Sequence, residues 1–180
     1  MTKLGIILAS ARPNRVGDHV ARWVHDAIPA GVDVDLIDLR EVALPAFDGT
    51  SSPKQGLPKE TDHALAWGAR IDALDALVIL TPQYNGSYPG ALKNAIDFLY
   101  EEWSGLPTVL VGYGWGSAGE VLPLLETLMT RLGADVVGSI GLGFREDLSV
   151  EGELFVAEEK TAALGEHLTA ISQRALSNVG

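Results

Sequence analysis

Cysteine is absent from the 180 residues. Disulfide cross-links, thiolate metal sites and a cysteine nucleophile are thereby excluded, and a reducing compartment fits. Aromatic residues make up only 7%, and 13 basic residues face 24 acidic ones, for a formal net charge of −11. An acidic chain of this kind suits neither the phosphate backbone of nucleic acid nor a polyanionic surface. Long apolar runs are missing as well. The stretch from Leu4 to Ala9 lasts six residues before Arg12 and Pro13 interrupt it, too short for a membrane span or a secretory leader. No metal centre is expected, because His19, His25, His63 and His167 are scattered along the chain. These absences predict a soluble, cytoplasmic protein.

What is present predicts one packed domain over residues 1–180. Hydrophobic residues reach 47% and charged residues 21% in 19.1 kDa, enough for one well-buried core and short for two. The charge is unevenly spread. Residues 1–25 carry Lys3, Arg12, Arg15 and Arg22 against Asp18, giving +3, which leaves −14 for the remainder. A basic island beside the first turn of an acidic protein points to a local anion site.

The apolar pattern alternates between two periods. Residues 4–9, 76–81 and 108–113 are unbroken apolar runs, as in strands buried on both faces, and V-D-V-D-L-I-D-L at 32–39 alternates like an edge strand. Helical spacing marks Val20 to Ile28, residues 60–74, residues 90–100 behind Pro89, and residues 120–132. A further strand is expected near 134–140, a surface loop at 45–59, and an acidic helix over 151–176. Strands alternating with helices in this way predict a doubly wound α/β fold with a five-stranded parallel sheet.

Ligands of such sheets bind beyond the carboxyl ends of the strands. Three segments there have unusual composition. S-A-R-P-N-R-V-G, residues 10–17, offers a hydroxyl, two guanidinium forks and the amides of a helix N-terminus, a set suited to a phosphate. It lacks the G-K-[ST] of a Walker loop and the G-x-G-x-x-G of a dinucleotide turn, so a phosphate monoester fits better. T-P-Q-Y-N-G-S-Y-P-G, residues 81–90, forces an irregular backbone that exposes donors and acceptors to a flat heterocycle. G-Y-G-W-G-S-A-G, residues 112–119, contains G-x-G-x-x-G at Gly114, Gly116 and Gly119. It follows the third buried strand, not the first, and too little chain remains for a complete dinucleotide unit. A backbone that closes on the same ligand is the simpler reading.

Together these residues resemble the NADPH-dependent FMN reductase family, from Leu4 to about Ile140. The most specific match is Thr81 to Asp97, T-P-Q-Y-N-G-S-Y-P-G-A-L-K-N-A-I-D, against the family's P-E-Y-N-x-S-x-P-G-x-L-K-N-A-I-D. The resemblance implies a flavodoxin-like fold with strand order 2-1-3-4-5 and bound FMN, reduced by NADPH or NADH. By the same resemblance, Ser10, Arg12, Arg15, Val16 and Gly17 surround the FMN phosphate. Pro82, Gln83, Tyr84, Asn85 and Gly86 line the isoalloxazine, and Gly114, Trp115, Gly116 and Ser117 close its far side. Gln83 replaces the usual glutamate, and Gly17 stands where some members have a polar phosphate ligand.

The implied reaction passes hydride from nicotinamide through the flavin to a small acceptor such as a quinone, a flavin, an azo compound or a metal oxyanion. The cofactor does the bond chemistry, so no catalytic acid or base is assigned. The resemblance also implies a homodimer or homotetramer; Leu92, Ile96 and Phe98 of the 90–100 helix are candidate contacts, and burial within one subunit predicts the same apolar residues. A flavodoxin-type carrier without NAD(P)H turnover and a non-catalytic binding module are the alternatives. A low-molecular-weight phosphatase falls with the missing cysteine nucleophile.

Overall fold

The computed structural model describes residues 2–177. The three unbroken apolar runs become β1 (Lys3–Leu8), β3 (Ala76–Pro82) and β4 (Pro107–Gly114), with every residue of β3 and β4 buried. The alternating segment is β2 (Asp33–Asp38), and β5 (Asp135–Gly143) closes the set. All pairings are parallel and the order is β2-β1-β3-β4-β5. The expected edge position of β2 is therefore observed.

The two-residue period of the strands builds two cores. Ile7, Ile79 and Leu110 face one side, with Trp67, Ile71, Leu92, Ile96, Leu125 and Met129 from α3 (Asp62–Asp72), α4 (Gly90–Asp97) and α5 (Val121–Arg131). Ile6, Val78 and Val109 face the other, against Val20 and Val24 of α1 (Gly17–Asp26) and Leu164, Leu168 and Ile171 of α6 (Glu158–Ser177). Side chains on successive strand residues point to opposite faces, so each apolar run serves both layers.

The structure corrects one expectation, decides between two readings of another and adds an element. The C-terminal helix begins at Glu158, not near residue 151. Residues 144–157 instead fold back as a loop, in which Leu148 bridges Phe144 and Leu154, and Phe155 N–H donates to Asp147 O at 2.9 Å. Gly152 holds φ +98° against His19, a conformation no helix continues through. Leu92, Ile96 and Phe98 are interior residues of their own chain, held in the layer where Trp67 Nε1 donates to Ala95 O and Trp103 Nε1 to Ile96 O. They are not available to a second subunit. A short α2 (Leu39–Val42), unforeseen in the sequence, starts on Asp38, whose carboxylate accepts from Arg40 N–H at 2.9 Å.

Because β1 lies between β2 and β3, the chain reverses its direction of travel across the sheet there. The loops after β1 and β3 part at their carboxyl ends and leave a crevice.

Candidate functional site

The loop after β1 is organised around one arginine. The Arg15 side chain is 3% exposed and all five of its N–H groups have acceptors. Nη1 donates to Ser10 O at 2.8 Å and to Asp38 Oδ1 at 2.7 Å, and Nη2 donates to Asp38 Oδ2 and Asp18 Oδ1, both at 2.7 Å. Nε donates to the Asp18 carboxylate. Burial alone would lower the Arg15 pKa, but the hydrogen bonds to Asp38 and Asp18 outweigh it and raise the group above its ordinary value. Arg15 in turn holds Asp38 well below the usual carboxylate range, against the upward push of burial, with Arg40 adding to the effect. The sequence offered two arginines to a phosphate; the fold spends one on its own loop. Arg12 differs. Among the described residues it has no ion pair, and its guanidinium lies 4.3 Å above the Tyr84 ring.

The loop after β3 is a tight hairpin. Tyr84 N–H donates to Ser87 O at 2.8 Å and Ser87 N–H returns to Tyr84 O at 3.0 Å. Between them Asn85 (φ 50°) and Gly86 (φ 77°) occupy the left-handed region, the requirement that selects Asn-Gly in two-residue hairpin turns. The turn places Tyr84 Oη 2.7 Å from Ser10 Oγ, which joins the first loop to the second.

Gln83 joins the second loop to the third. Its Oε1 accepts from Glu120 N–H at 3.1 Å and Val121 N–H at 3.2 Å, covering amides that open α5, while Nε2 donates to Trp115 O and Glu120 Oε1. The third loop turns sharply through Gly114 (φ 153°), Gly116 (φ 62°) and Ser117 (φ 54°). It leans on the loop after β5: Trp115 packs edge-on against Phe144 at 5.4 Å, and Ser117 Oγ donates to Glu146 Oε2 at 2.9 Å.

These four segments surround a cavity of about 530 Å³. Ser10, Arg12, Arg15, Val16, Pro82, Gln83, Tyr84, Asn85 and Trp115, all singled out in the sequence, stand in its walls. Gly17, Gly86, Gly114, Gly116 and Ser117 are not in its walls; the last four hold positive φ in the loops that carry the lining. Asn14, Tyr113, Phe144 and Val150 complete the walls and were not anticipated. Asn14 and Tyr113 neighbour residues that were, so proximity in sequence could have found them. Phe144 and Val150 sit just ahead of the segment misread as helix, in the loop that replaces its start. Tyr113 Oη is buried and lacks a geometrically satisfactory hydrogen-bond partner among the described residues. Burial pushes its pKa above the ordinary tyrosine value, which the nearby Ser10 side chain partly opposes.

The cavity walls combine Arg12, a cation without an ion pair among the described residues, with the hydroxyls of Ser10 and Tyr84 and with aromatic and amide side chains. The family described as NADPH-dependent FMN reductase matches residues 2–147.

The chain belongs to that family.

An NAD(P)H-dependent FMN reductase from Schizosaccharomyces pombe is 35% identical over 168 residues, covering 91% of this chain and 84% of the relative. A quinone reductase from Escherichia coli is 39% identical over 94 residues, 52% of this chain and 47% of that protein. Among solved structures, the flavoenzyme NAD(P)H:(acceptor) oxidoreductase FerB of Paracoccus denitrificans superposes with a TM-score of 0.73. It covers 98% of both chains at 21% identity, a likeness of fold. This NADPH-dependent FMN reductase family member is thus an oxidoreductase of the NAD(P)H-dependent type with FMN as cofactor. No helix among the described residues is long and apolar enough to cross a membrane.

Proposed function

We propose that the 530 Å³ cavity is the FMN site and that the protein uses it to reduce a quinone at the expense of NADPH or NADH. The observation carrying this reading is that one cavity combines Arg12, which has no ion pair among the described residues and lies in the loop leading into α1, with Tyr84, Asn85 and Trp115 in the same walls. A phosphate is attracted by the guanidinium and by the partial positive charge of the helix end. Bound FMN supplies the two-electron chemistry between nicotinamide and acceptor.

The protein's own residues hold and orient. Ser10, Arg12, Val16 and the Gly17 amide take the phosphate, and Arg15 keeps their loop in register. Pro82, Gln83, Tyr84, Asn85 and Gly86 present amide and carbonyl groups to the ring edge. Trp115, carried by Gly114, Gly116 and Ser117, is 55% exposed and forms the far wall with Phe144 and Val150. An aromatic rim of this kind suits a flat acceptor, and the Escherichia coli relative bears the name quinone reductase. A flavodoxin-type carrier would share the sheet but would not oxidise nicotinamide.

The same reading places the site in one cytoplasmic FMN-binding domain spanning 1–180, of which residues 1 and 178–180 lie outside the described part. It includes a homo-oligomer as well. Supporting assembly, Phe47, Leu57 and Leu65 are exposed around a second cavity of about 350 Å³. Sedimentation velocity of the wild type and of Leu65→Glu tests that point, with a monomeric wild type ruling it out.

The central test is reconstitution. Apo-protein titrated with FMN should quench its fluorescence saturably, and the product should oxidise NADPH or NADH with a benzoquinone acceptor. Absence of saturable quenching by a folded protein would overturn the reading.

A further inference from the structure

We propose that the Tyr113 hydroxyl is an additional hydrogen-bond donor to the flavin phosphate, reaching it through the space that Gly17 leaves open at the start of α1. This inference rests on the FMN reading of the cavity.

Tyr113 is the penultimate residue of β4 and is 3% exposed, yet its ring enters the cavity wall. Its Oη is the buried side-chain polar atom left without a geometrically satisfactory partner among the described residues. Buried hydroxyls in folded proteins are nearly always paired, so an orphan lining a cavity points to a group that arrives with the ligand. The surroundings specify the charge of that group. A Cβ built on Gly17 would stand 2.7 Å from Tyr113 Oη, so the hydroxyl lies directly against the first residue of α1. That helix is ten residues long and no side chain caps its N-terminus. His19 N–H already donates to Val16 O, and the helix start ahead of it presents its remaining amide donors beside the Tyr113 hydroxyl.

The remaining neighbours permit an anion. Asp18, the acidic residue of the first turn, is ion-paired with Arg15, which it shares with Asp38, and Asp38 has Arg40 as a second partner. Arg12 faces the cavity without a counter-ion among the described residues. Burial keeps the phenol protonated, and a protonated phenol donates. Gly17 is what makes the arrangement possible. Any larger residue would meet Tyr113 Oη and, at 3.0 Å, Leu8 Cδ1. Glycine at this helix start thus trades a side chain of its own for a hydroxyl delivered from β4.

The experiment compares FMN with riboflavin, which has the ring but no phosphate. Dissociation constants are measured by fluorescence quenching on the apo forms of wild type, Tyr113→Phe, Gly17→Ala and the double variant. Tyr113→Phe is expected to weaken FMN about tenfold or more, as for loss of a hydrogen bond to a charged group, while riboflavin affinity stays unchanged. Its apo-form Tm should hold or rise, since the change removes an unpaired buried hydroxyl. Gly17→Ala should weaken FMN by displacing the hydroxyl, and in the Tyr113→Phe background it should add little. Equal weakening of FMN and riboflavin by Tyr113→Phe, or no change in either, overturns the assignment and leaves the FMN reading intact. Additive effects of the two substitutions overturn it too; if Tyr113→Phe folds poorly, Gly17→Ala alone decides the matter, an FMN affinity equal to wild type or an equal weakening of FMN and riboflavin overturning the assignment. A wild type that binds neither compound sinks the function and this inference together.

Discussion

Arg15 Nη2 and Asp38 Oδ2 lie 2.7 Å apart, linking the loop after β1 to the end of β2 on the side of β1 away from β3. Both side chains are under one-tenth exposed. The contact ties Arg15 to its own loop, and in the proposed site it leaves Arg12 as the arginine that would meet the phosphate.

Arg15→Ala is therefore expected to cost about 3–5 kcal/mol of stability, because it strands buried Asp38 with only Arg40 as partner. Arg15→Lys should recover little, since an ammonium cannot serve two carboxylates and a carbonyl in one plane. Urea unfolding of the apo-proteins measures both. Stability close to wild type in Arg15→Ala would show that the network is dispensable.

Arg12→Ala should do the opposite. With no ion pair to lose, the apo-protein should unfold at the wild-type urea midpoint. FMN should bind more weakly by about 1.5–3 kcal/mol, the range for a hydrogen bond to a charged group. Titration at low and high salt checks this, and an unchanged dissociation constant would remove Arg12 from the phosphate site.

Asp38 carries a pH signature. Its folded pKa is depressed, chiefly by the Arg15 hydrogen bonds, so the stability it confers is present above the unfolded value of about 4 and lost as pH falls through the folded value. The stability gap between wild type and Asp38→Asn should be flat from about pH 5 to 8 and should narrow below about pH 4. A gap that widens on acidification would contradict the assignment.

Gln83→Glu addresses the residue that departs from the family pattern. A glutamate there keeps an acceptor for the Glu120 and Val121 amides but loses the donor to Trp115 O. It also sets a second carboxylate where Gln83 Nε2 now lies 3.3 Å from Glu120 Oε1. Like charges at that distance raise one pKa of the pair. The variant should be less stable than wild type at neutral pH, with the deficit shrinking toward about pH 4 as the shared proton binds, and Gln83→Glu/Glu120→Gln should restore it. A pH-independent deficit would mean that the lost donor alone matters.

Gly86→Ala probes the hairpin. Its φ of +77° disfavours a side chain, and the added Cβ would meet Glu120 Oε2 at 2.7 Å. A loss of about 1–2 kcal/mol is expected from the left-handed conformation alone. Wild-type stability would indicate that the turn adopts another geometry.

Residues 4–9, 76–81 and 108–113 were legible as central strands because double-sided burial leaves no room for alternation, and 81–97 was legible because its Asn-Gly turn and proline-led helix are local chemistry. The charges of Arg12 and Arg15 were legible too, but their division of labour was not. It depends on Asp38, 23 residues away, which reaches Arg15 only after β2 pairs with β1. Phe144 and Val150 were hidden for a related reason: the acidic stretch near 151 has helical composition, yet the contacts of Leu148 and Gly152 fold it back over the cavity mouth.

The amino-acid order alone thus determined the five strands, the helices between them other than α2, the parallel sheet and the three loops of unusual composition, since each follows from periodicity or turn preference within a short window. Tertiary structure alone decided which arginine stays free, which hydroxyl lacks a partner and which helix faces are interior. Those outcomes depend on charge pairing and burial between segments that meet only once the sheet has assembled.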